Sequence, residues 1–279
     1  MKHYALIFCG LFWAFVCQAK EMVVGLYEDV EVKKVQLAPK EGSFELRHQN
    51  KVLVKLNLDS EHQIVYLTYF NNQVQVNYGG EDLGLYRDLI MVPDRPYSSF
   101  KVKVGDDERQ YAGSLDVRIL RGAIKLVNRV DLEEYVAGVL ESEVGHYNRL
   151  EFLKAQSIIV RTYALRNISK HINLGYEVCD TDHCQVYRSK AYGKNAYEVY
   201  KAVYATQNQV LMQSNGRLVD AVYHSNCGGQ TESARDVWRG KDIEYLQSKR
   251  EKYCDLSAHA RWYFKVPKAE FFAYLGNRN

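Results

Sequence analysis

The amino-acid sequence predicts an α+β fold, with a β-rich N-terminal part followed by a mixed core of helices and strands. From Met22 to Leu126 short runs of alternating apolar and polar residues are separated by Gly, Asn or Pro, a pattern typical of strands joined by hairpin turns. After Val130, apolar residues recur every three or four positions along two longer segments, which indicates amphipathic helices. The chain of 279 residues is long enough to bury a full core, as one domain or two closely packed lobes.

The first residues predict export. Residues 1–19 have a basic start at Lys2, an apolar run up to Cys17 and a small residue, Ala19, before Lys20, as in a secretory signal. The alternative is a membrane anchor, but the apolar run is shorter than the roughly 20 residues that a spanning helix needs. Lipidation of Cys17 is disfavoured because the residues before it, Ala14-Phe15-Val16, place valine where a small residue is required. We therefore expect an exported mature chain that starts at Lys20, in the periplasm or cell envelope.

Eight strands are expected in the N-terminal part, which we interpret as a scaffold for the later helices rather than an independent binding module. The runs are VVGLY, SFELRH, KVLVKLNL, QIVYLTYF, QVQVNY, FKVKV, SLDVRIL and AIKLV. Turns are expected at residues 39–42, 71–72, 79–80, 105–107 and 121–122.

The two helical segments follow directly. Asp131 is expected to cap the first helix with Glu134 at its third position, and Leu132, Tyr135, Val136, Val139 and Leu140 form its apolar face. Gly145 is expected to end it. The second helix is expected from Leu150 to Arg166, with Phe152, Ala155, Ile159 and Tyr163 in one stripe and Leu153, Ser157 and Val160 beside it. A third helix is expected over residues 195–207, and a hairpin turn at Asn215-Gly216.

The composition gives no support for nucleic acid as a partner. The formal net charge is only +3, and no clustered basic face indicates nucleic-acid binding. The chain has 22 tyrosines, which suit the faces and hydroxyls of sugars but are also ordinary strand residues. Cys179, Cys184, Cys227 and Cys254 remain after the signal, and their even number in an exported protein favours disulfides.

Several blocks occur in an order that resembles the SpoIID/LytB family of peptidoglycan-acting proteins. They are YAGSLDVR, LVNRVDLEEYVAGVLESEV, LKAQSIIVRTYAL, DTDHCQVY and SNCGGQTE, and the resemblance covers roughly residues 105–262. It implies a catalytic domain at 105–265, which follows the signal peptide expected at 1–19 and the β-rich region expected at 20–104 and precedes a short tail at 266–279. Related proteins continue past an Arg-Trp element, which is Arg261-Trp262 in this chain, so a shortened C-terminal part is expected.

The resemblance implies that Glu143 is the catalytic residue of a lytic transglycosylase. From the residues alone, Glu133, Glu134 and Glu141 are equal candidates. The family has Ser-Glu-Met-Pro at this point, whereas this chain has Ser142-Glu143-Val144-Gly145. Such enzymes cut the bond between N-acetylmuramic acid and N-acetylglucosamine without water, so one carboxyl group suffices where hydrolases generally use two. Asp180 and Asp182 are other candidates for a second carboxyl group.

The resemblance also implies a glycan groove. Peptidoglycan glycan strands, stripped of peptide stems, are the expected substrate. Tyr187 could equally be a packing residue, and Arg161 a solvated one. Cys227 is expected to pair with Cys254 rather than to act as a nucleophile. The candidate substrate-binding residues are Gln156, Arg161, Tyr163, Gln185, Tyr187, His224, Ser225, Gly228 and Gly229.

No cofactor is expected, with zinc as the alternative at one loop. Cys179, His183 and Cys184, with His171 upstream, could hold zinc as in some family members, but adjacent His and Cys ligands favour a disulfide here. Two other functions remain open. One is a non-catalytic glycan-binding partner of a cell-wall amidase, as in LytB-type relatives. The other is a zinc hydrolase, for which no HExxH helix is present.

Overall fold

The fold is known from a computed structural model that describes residues 20–57, 63–193, 196–238, 240, 242–254, 260–261 and 263–276. The predicted signal segment and Trp262 of the Arg-Trp element lie outside the described residues. The prediction of an α+β fold with a β-rich N-terminal part is confirmed. Contacts divide the chain into two compact units, Met1–Ala221 and Val222–Asn279.

Thirteen described strands, all in the first unit, form two sheets with the orders β13-β1-β12-β11-β8-β3-β4 and β10-β9-β2-β5-β6-β7. Their bounds are β1 Glu21–Leu26, β2 Lys34–Glu41, β3 Phe44–His48, β4 Lys51–Leu56, β5 Val65–Phe70, β6 Gln73–Tyr78, β7 Glu81–Tyr86, β8 Asp88–Pro93, β9 Ser99–Val104, β10 Asp107–Ala112, β11 Ser114–Leu120, β12 Ala123–Asp131 and β13 Val178–Cys179.

Each sheet contains strands that precede residue 104 in the chain and strands that follow it. Antiparallel pairing joins β1 to β12, with Met22 opposite Val130, and joins β9 to β10. The predicted boundary between residues 104 and 105 therefore runs through both sheets. Phe44 of the first sheet meets Phe100 of the second edge to face, with ring centroids 5.5 Å apart, so the core lies where the two sheets meet.

The turn at residues 39–42 was predicted too early. Pro39 lies inside β2, opposite Phe100 of β9, and the register shifts between Pro39 and Glu41. On the other side of β2, β5 pairs only with residues up to Leu37. Pro39 therefore interrupts no ladder on that side, and proline is tolerated at such an edge.

Three helices of the first unit follow the sheets and pack on one another: α1 Leu132–Glu143, α2 Leu150–Arg166 and α3 Ala196–Ala205. The side chain of Asp131 accepts hydrogen bonds from the amides of Glu133 and Glu134, which confirms the predicted cap. All five residues of the predicted apolar face of α1 are buried. Gly145 has φ +69° just after the helix, as a helix-ending glycine does.

The packing face predicted for α2 is only partly right, since Leu153, Ser157 and Val160 are buried as expected. Phe152 is 46% exposed, whereas Gln156 and Arg161 are buried in the helix interface. Apolar periodicity missed these two positions because both residues are polar, and the charge of Arg161 is neutralised by Glu133 of α1. The hairpin predicted around Asn215-Gly216 is reduced to a single bridge between Met212 and Leu218.

The second unit contains two described helices, α4 Ala234–Val237 and α5 Lys268–Gly276, and a bridge between Gln230 and Arg250. No helix in the described part of the chain combines the length and apolar character needed to cross a membrane.

Candidate active site

The site is centred on the end of α1. Glu143 is the last residue of this helix, and its Oε1 accepts a 2.8 Å hydrogen bond from the backbone amide of Val186. The neighbouring Ser142 donates to Gly138 O at 2.7 Å and accepts from the backbone amide of Arg188 at 3.1 Å. Two consecutive residues at the helix end therefore hold the chain segment 186–188 against the carboxylate.

A glycine in α1 makes room for this segment. A Cβ atom added at Gly138 would lie 2.4 Å from Cε2 of Tyr187 and 2.5 Å from Ser189 O, and contacts this short do not occur between real atoms. Glycine costs helix stability compared with alanine, so its presence here is explained by the close approach of Tyr187. The sequence contained this signal as an unexplained glycine within an amphipathic helix.

Gln185 and Tyr187 lie beneath the site rather than on its surface. Both side chains are buried. The Tyr187 hydroxyl donates to Asn128 Oδ1 at 3.2 Å, and the Tyr135 hydroxyl donates to Gln185 Oε1 at 3.2 Å. Burial raises the pKa of Tyr187 well above its usual value. These contacts favour the packing role for Tyr187 over the predicted contact with sugar, and the groups that they position are the backbone amides of this segment.

Arg161 was predicted to contact glycan, with a solvated position as the alternative, and the structure places it in neither environment. Its side chain is 1% exposed and forms a buried ion pair with Glu133 of α1, in which Nε donates to Oε1 at 3.0 Å. It also donates to Val203 O at 3.2 Å and to Gln209 O at 3.2 Å. Arg161 therefore joins α1, α2 and the end of α3.

The other two candidates on α2 differ from each other. Gln156 is buried. Tyr163 is partly buried, its hydroxyl accepts a 3.3 Å hydrogen bond from Lys170 Nζ, and burial raises its pKa.

Glu141 and Asp180, two of the other candidate carboxyl groups, are committed to other contacts. Glu141 Oε1 lies 2.8 Å from Nδ1 of His146, and its Oε2 is buried without a hydrogen bond among the described residues. The backbone amides of Tyr27 and Glu28 and the guanidinium of Arg109 donate to Asp180, whose pKa burial raises. Asp180 therefore fastens the loop after β1, and Asp182 is exposed.

An aromatic pair next to the helix end was not predicted. The ring of Tyr147 is 89% exposed and its centroid lies 4.0 Å from that of His146. Exposed aromatic rings can stack on the apolar faces of sugars. The sequence signal was the position of the pair, immediately after the glutamate and Gly145.

A group of four possible metal ligands precedes the segment that holds Glu143. The ligand atoms of His171, Cys179, His183 and Cys184 all lie within 4.8 Å of one another. His171 Nε2 is 3.3 Å from Cys184 Sγ, and His183 Nδ1 is 3.7 Å from Cys179 Sγ and 3.9 Å from Cys184 Sγ. Around tetrahedral zinc, with bonds of about 2.0–2.3 Å, neighbouring N and S ligands lie roughly 3.5 Å apart. The residues present therefore fit zinc.

The disulfide preferred from the sequence is not present. All four cysteines in the described part of the chain are free thiols. Although His183 and Cys184 are adjacent in the chain, their ligand atoms can both face the same metal position. The hydrogen bond from Cys184 lowers the pKa of Cys179, while the same contact raises the pKa of Cys184. The pair therefore favours one thiolate, the form that binds metal.

The remaining predicted residues lie in the second unit. His224 and Ser225 are exposed. Gly228 has φ +65° and Gly229 has φ +94°, and an added Cβ at Gly228 would meet no atom within 4 Å. The backbone amide of Cys227 donates to Cys254 Sγ at 3.5 Å, and the two sulfurs lie with Glu251 in one cluster without a disulfide.

Comparison with known proteins identifies the region around this site. Residues 120–213 match a family model described as "Stage II sporulation protein" (SpoIID). Over 138 residues the chain is 35% identical to an uncharacterized protein of Brachyspira hyodysenteriae, and over 178 residues 32% identical to Stage II sporulation protein D of Bacillus subtilis. It is also 32% identical over 173 residues to a protein of Bacillus subtilis named Amidase enhancer.

These matches cover 49%, 59% and 61% of this chain, but only 36%, 51% and 23% of the respective relatives. The chain thus spans about half or less of the length of these relatives. The matched residues include α1, α2, Glu143 and the loop with the four metal-ligand candidates.

Proposed function

We propose that this chain, which belongs to the SpoIID family through residues 120–213, is a lytic transglycosylase of the cell envelope that acts on peptidoglycan glycan strands. The observation that carries the proposal is the position of Glu143. Its carboxyl group ends a buried helix, and the backbone amide of Val186 holds it at 2.8 Å. Catalysis requires a carboxyl group held in a fixed geometry beside the bond to be broken.

Glu143 would act first as an acid and then as a base. The carboxyl group donates its proton to the glycosidic oxygen of N-acetylglucosamine as the bond from that oxygen to C1 of N-acetylmuramic acid breaks. The resulting carboxylate then accepts the proton of the C6 hydroxyl of the same muramic acid as O6 bonds to C1. The product is a 1,6-anhydro end and the glutamic acid is regenerated. No water enters, so the scheme needs no second carboxylate, in agreement with the other contacts of Glu141 and Asp180.

Zinc would have a structural role in this protein. His171, Cys179, His183 and Cys184 would hold it, and a set of four protein ligands leaves no open position for a substrate. Bound zinc would supply a rigid cross-link within the loop. Because Cys184 lies two residues before Val186, this cross-link would stabilise the segment whose amide holds Glu143.

A second candidate function is that of a glycan-binding partner of a cell-wall amidase. The name of the relative from Bacillus subtilis, Amidase enhancer, and the replacement of Met-Pro by Val144-Gly145 favour it. Mass analysis of products from purified, peptide-free glycan separates the possibilities. Anhydro ends support the transglycosylase, reducing ends indicate a hydrolase, and intact glycan with retained binding favours the amidase partner.

A further inference from the structure

A basic cleft of about 490 Å³ lies in the first unit, beside the segment that holds Glu143. Lys40 of β2, Lys101 of β9, Arg109 of β10 and Arg188 all line it. With Asp107 and Glu108, its charged lining comprises four basic and two acidic side chains, a net charge of +2. The cleft therefore favours an anionic ligand, although the chain as a whole is nearly neutral.

Both acidic residues of the lining are paired within the cleft. Asp107 lies 2.7 Å from Nη2 of Arg109, and Glu108 lies 2.6 Å from Nζ of Lys101. Glu41, next to Lys40 in the chain, pairs with Lys190 at 3.2 Å. The first two pairs neutralise Arg109 and Lys101, and Arg109 also forms an ion pair with the buried Asp180 at 2.8 Å.

Lys40 and Arg188 carry the remaining positive charge. Both are exposed, and among the described residues neither side chain lies within 4.0 Å of a carboxylate. An arginine guanidinium matches a carboxylate through two parallel hydrogen bonds, and a nearby lysine adds a point charge.

The cleft is adjacent to the candidate catalytic residue. The amide of Val186 donates to Glu143, and the amide of Arg188, two residues further, donates to Ser142. Two residues of extended chain span at most about 7 Å. A glycan that places its scissile bond at Glu143 therefore has a neighbouring group within reach of Arg188. Tyr192, whose side chain is 60% exposed, adds an aromatic face to the lining.

The chemistry of the glycan offers one carboxyl group at each muramic acid. Its lactyl group ends in a free carboxylate when the peptide stem has been removed, and in a neutral amide when the stem is attached. We propose that Lys40 and Arg188 form a subsite for the free lactyl carboxylate, so that the cleft selects peptide-stripped glycan. This inference rests on the proposed function, since it assigns a group of the same substrate to a place beside Glu143.

The test compares cleavage of two substrates by the full chain. One is peptide-free glycan, and the other is the same glycan after carbodiimide coupling of its lactyl carboxylates to methylamine. The wild-type protein is expected to favour the free carboxylate in kcat/KM by about 10- to 100-fold, the range for hydrogen bonds to a charged group. The double variant Lys40→Gln/Arg188→Gln is expected to lose most of this preference, and Arg188→Lys to keep part of it.

Lys55→Gln is the matched control. Lys55 lies on β4, its side chain is 69% exposed, and its replacement is expected to leave the preference unchanged. Equal cleavage of both glycans by the wild type, or an unchanged preference in the double variant, would overturn the subsite. Inhibition of the cleavage of both glycans by poly(glycerol phosphate), if it depends on Arg188, would also overturn it by indicating a phosphate site. If the wild type forms no anhydro ends from either glycan, the proposed function itself fails.

Discussion

The backbone amide of Val186 donates a 2.8 Å hydrogen bond to Oε1 of Glu143. The donor comes from a segment without regular secondary structure, and the acceptor is the last residue of α1. Tyr187 anchors that segment, since its ring packs against Gly138 and its hydroxyl bonds to Asn128. The orientation of the carboxylate therefore depends on buried groups that never reach the surface.

Glu143→Gln is expected to abolish formation of anhydro ends while fold and glycan binding remain. The amide keeps the shape of the side chain but cannot deliver a proton. Loss of general acid catalysis costs about 10²- to 10⁴-fold, and a mechanism with a single acid should lie at the upper end. Product analysis by mass spectrometry measures the rate, and pull-down with insoluble glycan measures binding.

Glu151→Gln is a better control than Glu141→Gln. Glu151 lies on the first turn of α2, with its side chain 81% exposed and paired with Lys154. Glu141 is partly buried and bonded to His146, so its replacement would disturb the end of α1. Cleavage by Glu143→Gln at close to the wild-type rate would show that another residue supplies the proton.

Gly138→Ala is expected to reduce cleavage although alanine favours a helix. The added methyl group would lie 2.4 Å from the Tyr187 ring, which must move and carry Val186 with it. The intrinsic helix propensity alone would stabilise α1 by up to about 1 kcal/mol. We expect a lower kcat, since the amide of Val186 no longer holds the carboxyl group of Glu143 in place. An active variant with higher thermal stability would contradict this positioning role.

The sequence predicted the local structure around the site well. Asp131, the apolar face of α1 and Gly145 follow short-range rules of capping and periodicity, and each was confirmed. The bounds predicted for α2 agree with those observed, Leu150–Arg166. Four strands before α1 were missed, β2, β7, β8 and β10, because charged residues or, in β8, an unbroken apolar run obscure the alternating pattern.

Long-range contacts explain what the sequence did not predict. The sequence of α2 does not indicate that Arg161 is buried, because the residue that neutralises its charge, Glu133, lies 28 residues away in the chain. The donor to Glu143 is a backbone amide, which every residue except proline possesses, so no side-chain pattern identifies Val186. The four metal-ligand candidates were recognised by type, but only their distances distinguish a metal site from a disulfide.

Glu133→Gln is expected to destabilise the first unit strongly. The substitution leaves the buried charge of Arg161 without its partner, a change that typically costs about 3–5 kcal/mol. Urea unfolding followed by far-UV circular dichroism measures the free energy of unfolding. Glu151→Gln again provides the contrast, because an exposed pair of this kind contributes less than about 1 kcal/mol. Equal stability of the two variants would show that the Glu133–Arg161 pair does not hold the helices together.

Zinc is expected to copurify with the protein at one equivalent per chain and to be lost in Cys184→Ser. His224→Asn, which changes an exposed imidazole of the second unit, is the control and should keep the metal. Because thiolate and neutral imidazole are the binding forms, release is expected as the pH falls below about 6. Metal removal should lower the thermal stability of the protein, and it should also lower cleavage because Cys184 lies two residues from Val186. Protein free of zinc with Cys179 and Cys184 joined as a disulfide would instead support the interpretation favoured from the sequence.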